Sequence, residues 1–274
     1  HKWFEPRLVL QSIMRHKVTE FVGVPTMYIR LMETYDPTGH SIQSIRRLVC
    51  AAAPLSTETI HLVESRWGKP LFQGYGLTET SPTVARQREG RPRKPGSVGP
   101  AIYGVEIKIF DDFDGALPAG EVGEICVRGP NVMRGYLHKE AETQASLRNG
   151  WLHTGDVGYL DNDGELFITD RKKDLIIRGG ENISPGALED ILYKHPAVLE
   201  AAVVGIPDPI YGEEVKAFVV PKPGTKVSEQ EIIDHCLKFT SRFRVPKMIA
   251  FLNELPKNSV GKILKRALRE MEKW

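Results

Sequence analysis

The chain has 274 residues, 41% hydrophobic and 26% charged, an ordinary globular composition that excludes a disordered or fibrous chain and leaves room for about two domains. Its 37 Lys and Arg against 35 Asp and Glu leave a net charge of +2, too small to call for a nucleic acid or an acidic membrane surface, so a small molecule is the expected ligand. Cys50, Cys126 and Cys236 are odd in number and far apart, which excludes a disulfide framework or paired metal-ligand spacing and fits a reducing cytoplasm, and no run approaches the roughly 18 apolar residues of a membrane span.

The opening HKWFEPRL has neither an initiator Met nor an apolar signal core, and reads as a start inside a longer polypeptide. Pro6 stands at the first turn of an expected amphipathic helix, RLVLQSIMRHK. From Val18 to Gly74 the short apolar runs TEFVGV, RLVCAAA and PLFQG alternate with helical segments; one of these, TETIHLVESRW, has Ser56 as N-cap and stops at Gly68. Such alternation predicts α/β layering. Between Pro92 and Asp170 the texture changes to short strands such as VEIKIF and GEICVRG, separated by the turn clusters DDFDG, LPAG and DNDG, and an all-β subdomain is expected. After Arg171 helices and strands alternate again, with Ser184-Pro185 opening one helix and Ser228 with Glu231 forming a capping box for another. The expected architecture is thus a partial α/β domain with a β-rich subdomain over residues 1–170, then a small α+β domain over 171–274, joined by a tight hinge near Asp170.

Four loops carry chemistry. In YGLTETSP, Gly74 and Gly76 free the backbone around Tyr75, whose ring can stack on a base, while Thr78 offers a hydroxyl and Glu79 a carboxylate for a hydrated magnesium; a glycine-rich turn leading into a helix is the equal alternative. WLHTGD supplies Asp156, an acceptor for a pair of ribose hydroxyls, although a lone Asp after Gly is more often a turn residue. DRKKDLIIRGGENISP joins Arg171, Lys172 and Lys173 to the doublet Gly179-Gly180, where backbone can approach a ligand; its plain reading is a solvated charge run and a turn. PKNSVGKILKRAL places Lys262 before an amphipathic helix, but it is not a P-loop, because Pro256 stands where the first glycine belongs and Ile263 replaces Ser/Thr.

The ordered set VPTMY, AAAPLS, QGYGLTET, PGSVGPAIYGVEIKIF, GEVGEICVRGPNVMRGYL, GWLHTGDVGYLDNDGELFITDRKKDLIIRGGENISPGALEDIL and ELPKNSVGKILKRAL resembles the adenylate-forming superfamily of acyl-CoA synthetases, luciferases and peptide-synthetase adenylation domains along the whole chain. The resemblance implies that Tyr75 stacks on adenine, with Gly76, Ala52 and Ala53 beside it. It implies that Thr78 contacts phosphate, that Glu79 binds Mg2+, and that Asp156 and Arg171 hold the ribose. Lys173 is implied as the hinge, and Lys262 as the catalytic lysine of adenylation. Gly179 and Gly180 are implied as walls of the pantetheine tunnel, and Phe243 and Arg244 as residues meeting the nucleotide of coenzyme A. In such enzymes the small C-terminal domain swings between two half-reactions.

Two departures stand out. The Ser/Thr/Gly-rich phosphate loop ending in Pro-Lys does not occur in these residues; its place would be before His1, so the chain matches the C-terminal portion of such an enzyme and is not expected to adenylate alone. Ala51 also stands where related chains commonly have Gly. The expected reaction of the parent enzyme is carboxylate plus ATP to acyl-AMP, then thiol attack to acyl-CoA and AMP. Val24, Thr26, Met27 and Gly74 are expected in the acyl pocket, where small or flexible apolar residues suit a medium- or long-chain fatty acid. The alternatives are an adenylation module that loads a carrier-protein thiol, or a stand-alone nucleotide-binding fragment without catalysis.

Overall fold

Helix α1 (Pro6–His16) starts where the sequence pattern puts it, with the Glu5 carboxylate accepting from Arg7 N and Leu8 N ahead of Pro6, in a computed structural model that describes residues 4–258 and 261–271. Ser259 and Val260, part of the motif before Lys262, lie outside the described residues. The chain divides into two units, His1–Ile168 and Thr169–Trp274.

In the first unit α1 is followed by β1 (Glu20–Gly23), α2 (Pro25–Thr34), β2 (Arg47–Cys50), α3 (Thr57–Trp67), β3 (Leu71–Gly76) and β4 (Thr83–Arg86). Ser56 caps α3 by accepting from Thr59 N, and Gly68 ends it in a left-handed conformation, both as the sequence predicts. Strands β1, β2 and β3 run parallel in that order and β4 closes the edge antiparallel. Leu10, Ile13, Tyr28, Leu31, Met32, Val63 and Trp67 from the three helices pack on Leu48 and Leu71, each fully buried side chain contributing about 1.5–3 kcal/mol. The Tyr28 hydroxyl donates to Val49 O at 2.9 Å, so its burial leaves no lost hydrogen bond.

The β-rich part contains β5 (Ser97–Pro100), β6 (Glu106–Phe110), β7 (Gly123–Arg128), α4 (Glu140–Ser146), β8 (Leu147–Arg148), β9 (Trp151–Leu160) and β10 (Glu165–Arg171). The strands order as β5-β10-β9-β7-β6, with β8 on β9. Helix α4 corrects the all-β expectation: EAETQAS is a run of good helix formers, but it buries no residue, so no apolar periodicity announces it.

The second unit, entered within β10, holds β11 (Ile176–Arg178), β12 (Glu181–Ile183), α5 (Pro185–Tyr193), β13 (Val198–Asp208), β14 (Gly212–Pro221), α6 (Glu229–Leu237), β15 (Met248–Phe251) and α7 (Lys265–Glu270). Ser184 caps α5, and Ser228 with Glu231 makes the capping box of α6. The long antiparallel ribbon β13–β14 is apolar on both faces. Ala201 and Val203 join Leu188 and Leu192 of α5 and Ile232 of α6 on one side, while Ala202, Val204 and Ile206 join Leu255 and Leu268 on the other.

Candidate functional site

In the first unit the parallel strands deliver their chain ends to one edge of the sheet. Strand β1 ends at Gly23 and runs into Val24, Thr26 and Met27 at the start of α2; β2 ends at Cys50 and runs into Ala51–Ala53; β3 ends at Gly76 and runs into Thr78 and Glu79. Beyond the carboxyl ends of parallel strands is where open α/β sheets bind ligands. Ala52 has a φ of 70°, a left-handed backbone that costs a side-chain-bearing residue about 1–2 kcal/mol. The left-handed backbone thus falls on Ala52, next to Ala51, where related chains commonly have Gly.

Tyr75 and Asp156, 81 positions apart, are brought together: the Tyr75 hydroxyl donates to Asp156 Oδ2 at 2.7 Å, with both residues buried. Asp156 lies inside β9, not in the isolated turn that its Thr-Gly-Asp context allows. The β7–β9 register slips at this point, and the slip is braced by side chains. Thr154 Oγ1 donates to Ile125 O at 2.7 Å, Gly155 N to Glu124 Oε1 at 3.1 Å, and Asp156 N to Thr154 Oγ1 at 3.1 Å. His153 Nδ1 lies 3.3 Å from both Glu124 Oε2 and Cys126 Sγ. Glu124, Cys126 and His153 thus gather donor atoms that their spacing in sequence does not suggest. Arg148 Nη2, 3.9 Å from Glu124 Oε2, already supplies positive charge, and the cluster acts as a brace of the slipped register.

Gly76 is needed for close approach: a Cβ there would sit 1.7 Å from Pro82 O. At Gly74 the nearest atom, Ala85 O, is 3.6 Å away, so the freedom expected of it is not required. Thr78–Thr80 form a single 3-10 turn, braced by Asn131 Nδ2, which donates to Thr80 O and Thr83 O at 2.9 Å each. The Thr78 side is exposed. Glu79 Oε1 accepts from the Tyr136 hydroxyl at 2.8 Å, and burial together with this carboxylate raises the Tyr136 pKa. One carboxylate beside an exposed hydroxyl fits Mg2+, which keeps most of its waters and takes one or two protein oxygens.

In the second unit Arg171 ends β10 and the exposed Lys173 sits in the 3-10 turn Lys172–Asp174, which is tied down by Arg269 Nη2 donating to Asp174 Oδ1 at 2.9 Å. Gly179 and Gly180 make a two-residue hairpin turn between β11 and β12 with φ of 56° and 84°, the pair of positive values that a type I′ turn demands. Phe243 and Arg244 come to this turn. A Cβ on Gly179 would meet Tyr211 Cδ1 at 3.4 Å and Phe243 Cζ at 3.5 Å, and Arg244 Nε donates to Glu181 Oε1 at 2.7 Å.

Lys262 is exposed in the same unit, and its backbone pairs with Asn258. Lys262 N donates to Asn258 Oδ1 and Asn258 N to Lys262 O, both at 2.9 Å. Its flanks are fastened by ion pairs, Lys257 to Glu200 at 2.5 Å and Lys265 to Glu189 at 2.8 Å. Tyr136, Asn131, Glu124, Lys257 and Lys265 were not found by sequence reasoning, because each acts on a segment dozens of residues away and leaves no local pattern.

The family described as AMP-binding enzyme matches residues 1–137, and its AMP-binding enzyme C-terminal domain matches residues 187–262. A long-chain-fatty-acid–CoA ligase of Bacillus subtilis (strain 168) is 43% identical over 270 residues, 98% of this chain and 48% of the relative. A 2-succinylbenzoate–CoA ligase of the same organism is 41% identical over 275 residues, 100% of this chain and 55% of the relative. The crystal structure of ATP-bound MatB from Rhodopseudomonas palustris superposes with a TM-score of 0.92 at 34% identity, over 98% of this chain and 54% of that one. The chain spans about half the length of the relatives it matches.

Proposed function

This chain belongs to the AMP-binding enzyme family, and on that premise we propose that it works within an AMP-forming acyl-CoA synthetase. A carboxylate is a poor electrophile at neutral pH. In the first half-reaction its oxygen attacks the α-phosphorus of ATP and pyrophosphate leaves; in the second, the thiol of coenzyme A attacks the acyl carbonyl and AMP leaves. The hydrogen bond of 2.7 Å between Tyr75 and Asp156 carries the proposal, since it sets an aromatic ring for a base beside a carboxylate for ribose hydroxyls.

Gly76, Ala52 and Ala53 border that ring, Arg171 is the second ribose partner, and Thr78 donates to a phosphate oxygen. Glu79 would hold Mg2+, which when bound offsets charge on the phosphates. Lys262 places a point charge between two anions that must approach each other, the carboxylate and the α-phosphate. Lys173 is the hinge, Gly179 and Gly180 wall the pantetheine arm, and Phe243 and Arg244 meet the CoA nucleotide. The acid is proposed to be a medium- or long-chain fatty acid over Val24, Thr26, Met27 and Gly74; the 43% identity to a long-chain ligase supports this choice. The three buried free cysteines suit a cytoplasmic setting, and no described helix is long and apolar enough to cross a membrane.

The test uses the full-length protein that carries this chain. It is given ATP and a panel of fatty and aryl acids, with pyrophosphate release measured first and acyl-CoA after CoA is added. Release of pyrophosphate with a fatty acid, then acyl-CoA, is expected. No release with any acid would end the synthetase reading; release followed by no acyl-CoA would end the choice of CoA as acceptor.

A further inference from the structure

We propose that Arg178 is a positioning residue for the thioester half-reaction, clamping the Gly179–Gly180 turn and the Phe243 backbone into one rigid wall for coenzyme A. The inference rests on the reading of these two elements as the CoA wall.

Arg178 is the last residue of β11, and its guanidinium meets a carboxylate, a carbonyl and two aromatic rings. Nη2 donates to Glu214 Oε2 at 2.8 Å, Nε lies 2.6 Å from Glu214 Oε1, and Nη1 donates to Phe243 O at 2.9 Å. Its Cζ sits in the corner formed by two rings, 4.5 Å from the centroid of Tyr211 and 4.2 Å from that of Phe243. The rings stand nearly perpendicular, at 89°, and both face Gly179. Gly179 N in turn donates to Tyr211 O at 2.8 Å. One planar cation therefore joins four segments: the end of β11, the β13–β14 turn, β14 itself and the loop before β15.

Two facts separate a clamp from a mere stability contact. The Glu214 side chain is 2% exposed and that of Arg178 12%, so the pair gives up hydration of both charges, and such pairs are weak evidence for stability. What the pair fixes is orientation, because a planar fork holds a carboxylate, a carbonyl and two ring faces at once. A lysine at this position keeps the charge and loses the fork and the stacking.

The experiment compares Arg178→Lys and Glu214→Gln with the unaltered full-length protein. Three quantities are read: the rate of pyrophosphate release, the KM for CoA in thioester formation from supplied acyl-adenylate, and the melting temperature. Arg178→Lys is expected to raise the KM for CoA about tenfold, the scale of one charge-assisted hydrogen bond, and to leave pyrophosphate release within about twofold. Glu214→Gln should shift the same KM in the same direction by less. An unchanged KM in a variant that adenylates normally overturns the clamp. So does an equal loss in both half-reactions, or loss of folding in both variants, either of which makes the pair a holder of the fold. Failure of the CoA reading itself has a different signature: the unaltered protein forms acyl-adenylate but no acyl-CoA.

Discussion

Gly74 and Gly76 flank the same tyrosine and are indistinguishable by residue type, yet the structure assigns them opposite sensitivities. An alanine Cβ at Gly76 would lie 1.7 Å from Pro82 O, 2.7 Å from Pro82 C and 2.9 Å from Thr83 Cα, all backbone atoms that no side-chain rotation can move aside. Restoring normal contact requires β3 and the start of β4 to part by more than an ångström at a point where Tyr75 pairs with Ala85. Overpacking of this kind costs about 3 kcal/mol, which for a unit of this size lowers the melting temperature by roughly 6–12 °C. At Gly74 the nearest atoms are Ala85 O at 3.6 Å and Arg86 Cβ at 3.7 Å, ordinary contacts, so Gly74→Ala should stay within about 0.5 kcal/mol. Thermal unfolding of the two variants side by side, with ATP affinity as a second readout, makes the comparison. Equal destabilisation by both substitutions would refute the close-approach argument, and a tolerated Gly76→Ala would refute it more directly.

Lys262→Ala in the full-length protein should slow adenylation by about 10²–10³ while acyl-CoA still forms near the normal rate from supplied acyl-adenylate; an undiminished single-turnover adenylation would remove Lys262 from the reaction. Lys173→Pro fixes φ in the turn Lys172–Asp174 and should impair one half-reaction far more than the other, so equal losses in single-turnover assays of both would count against a hinge. Ala52→Gly should stabilise the fold by up to about 1 kcal/mol by relieving the left-handed backbone, net of the entropy that glycine adds to the unfolded chain; a lower melting temperature would contradict the strain assigned to Ala52.

Where local chemistry decides, the sequence was enough. The Ser56 cap and Gly68 stop of α3, the Pro6 start of α1 and the Ser228–Glu231 capping box are written within a few residues of their effect, and the structure has them at those positions. Helix α4 escaped because a short exposed helix needs no apolar face. The candidate site follows the same division. Tyr75, near the end of β3 and not in the loop expected, and Glu79, Gly179 and Lys262 stand in segments whose composition is unusual by itself. Their supports are long-range: Asp156 reaches Tyr75 across 81 positions, Tyr136 reaches Glu79 across 57 and Arg178 reaches Phe243 across 65, distances over which no spacing rule operates. The direct adjacency of Arg178 to the glycine doublet was its one local signal, and charge next to glycine is too common to single out.

The β13–β14 ribbon fastens two quite different pieces of chemistry. Glu200 on β13 holds Lys257 ahead of Lys262, and Glu214 on β14 holds Arg178 beside the glycine turn. The register partner of Glu200 is Val220, and from Val220 back to Glu214 along β14 spans six residues, about 20 Å at ~3.3 Å per residue. Apolar cover on both faces keeps that length fixed, so the ribbon is a ruler with a tool at each mark. The two carboxylates, and with them the feet of the two segments, are therefore held about 20 Å apart along the ribbon. Lengthening each strand by two residues, which preserves the inward and outward alternation, would move one anchor from the other by about 7 Å.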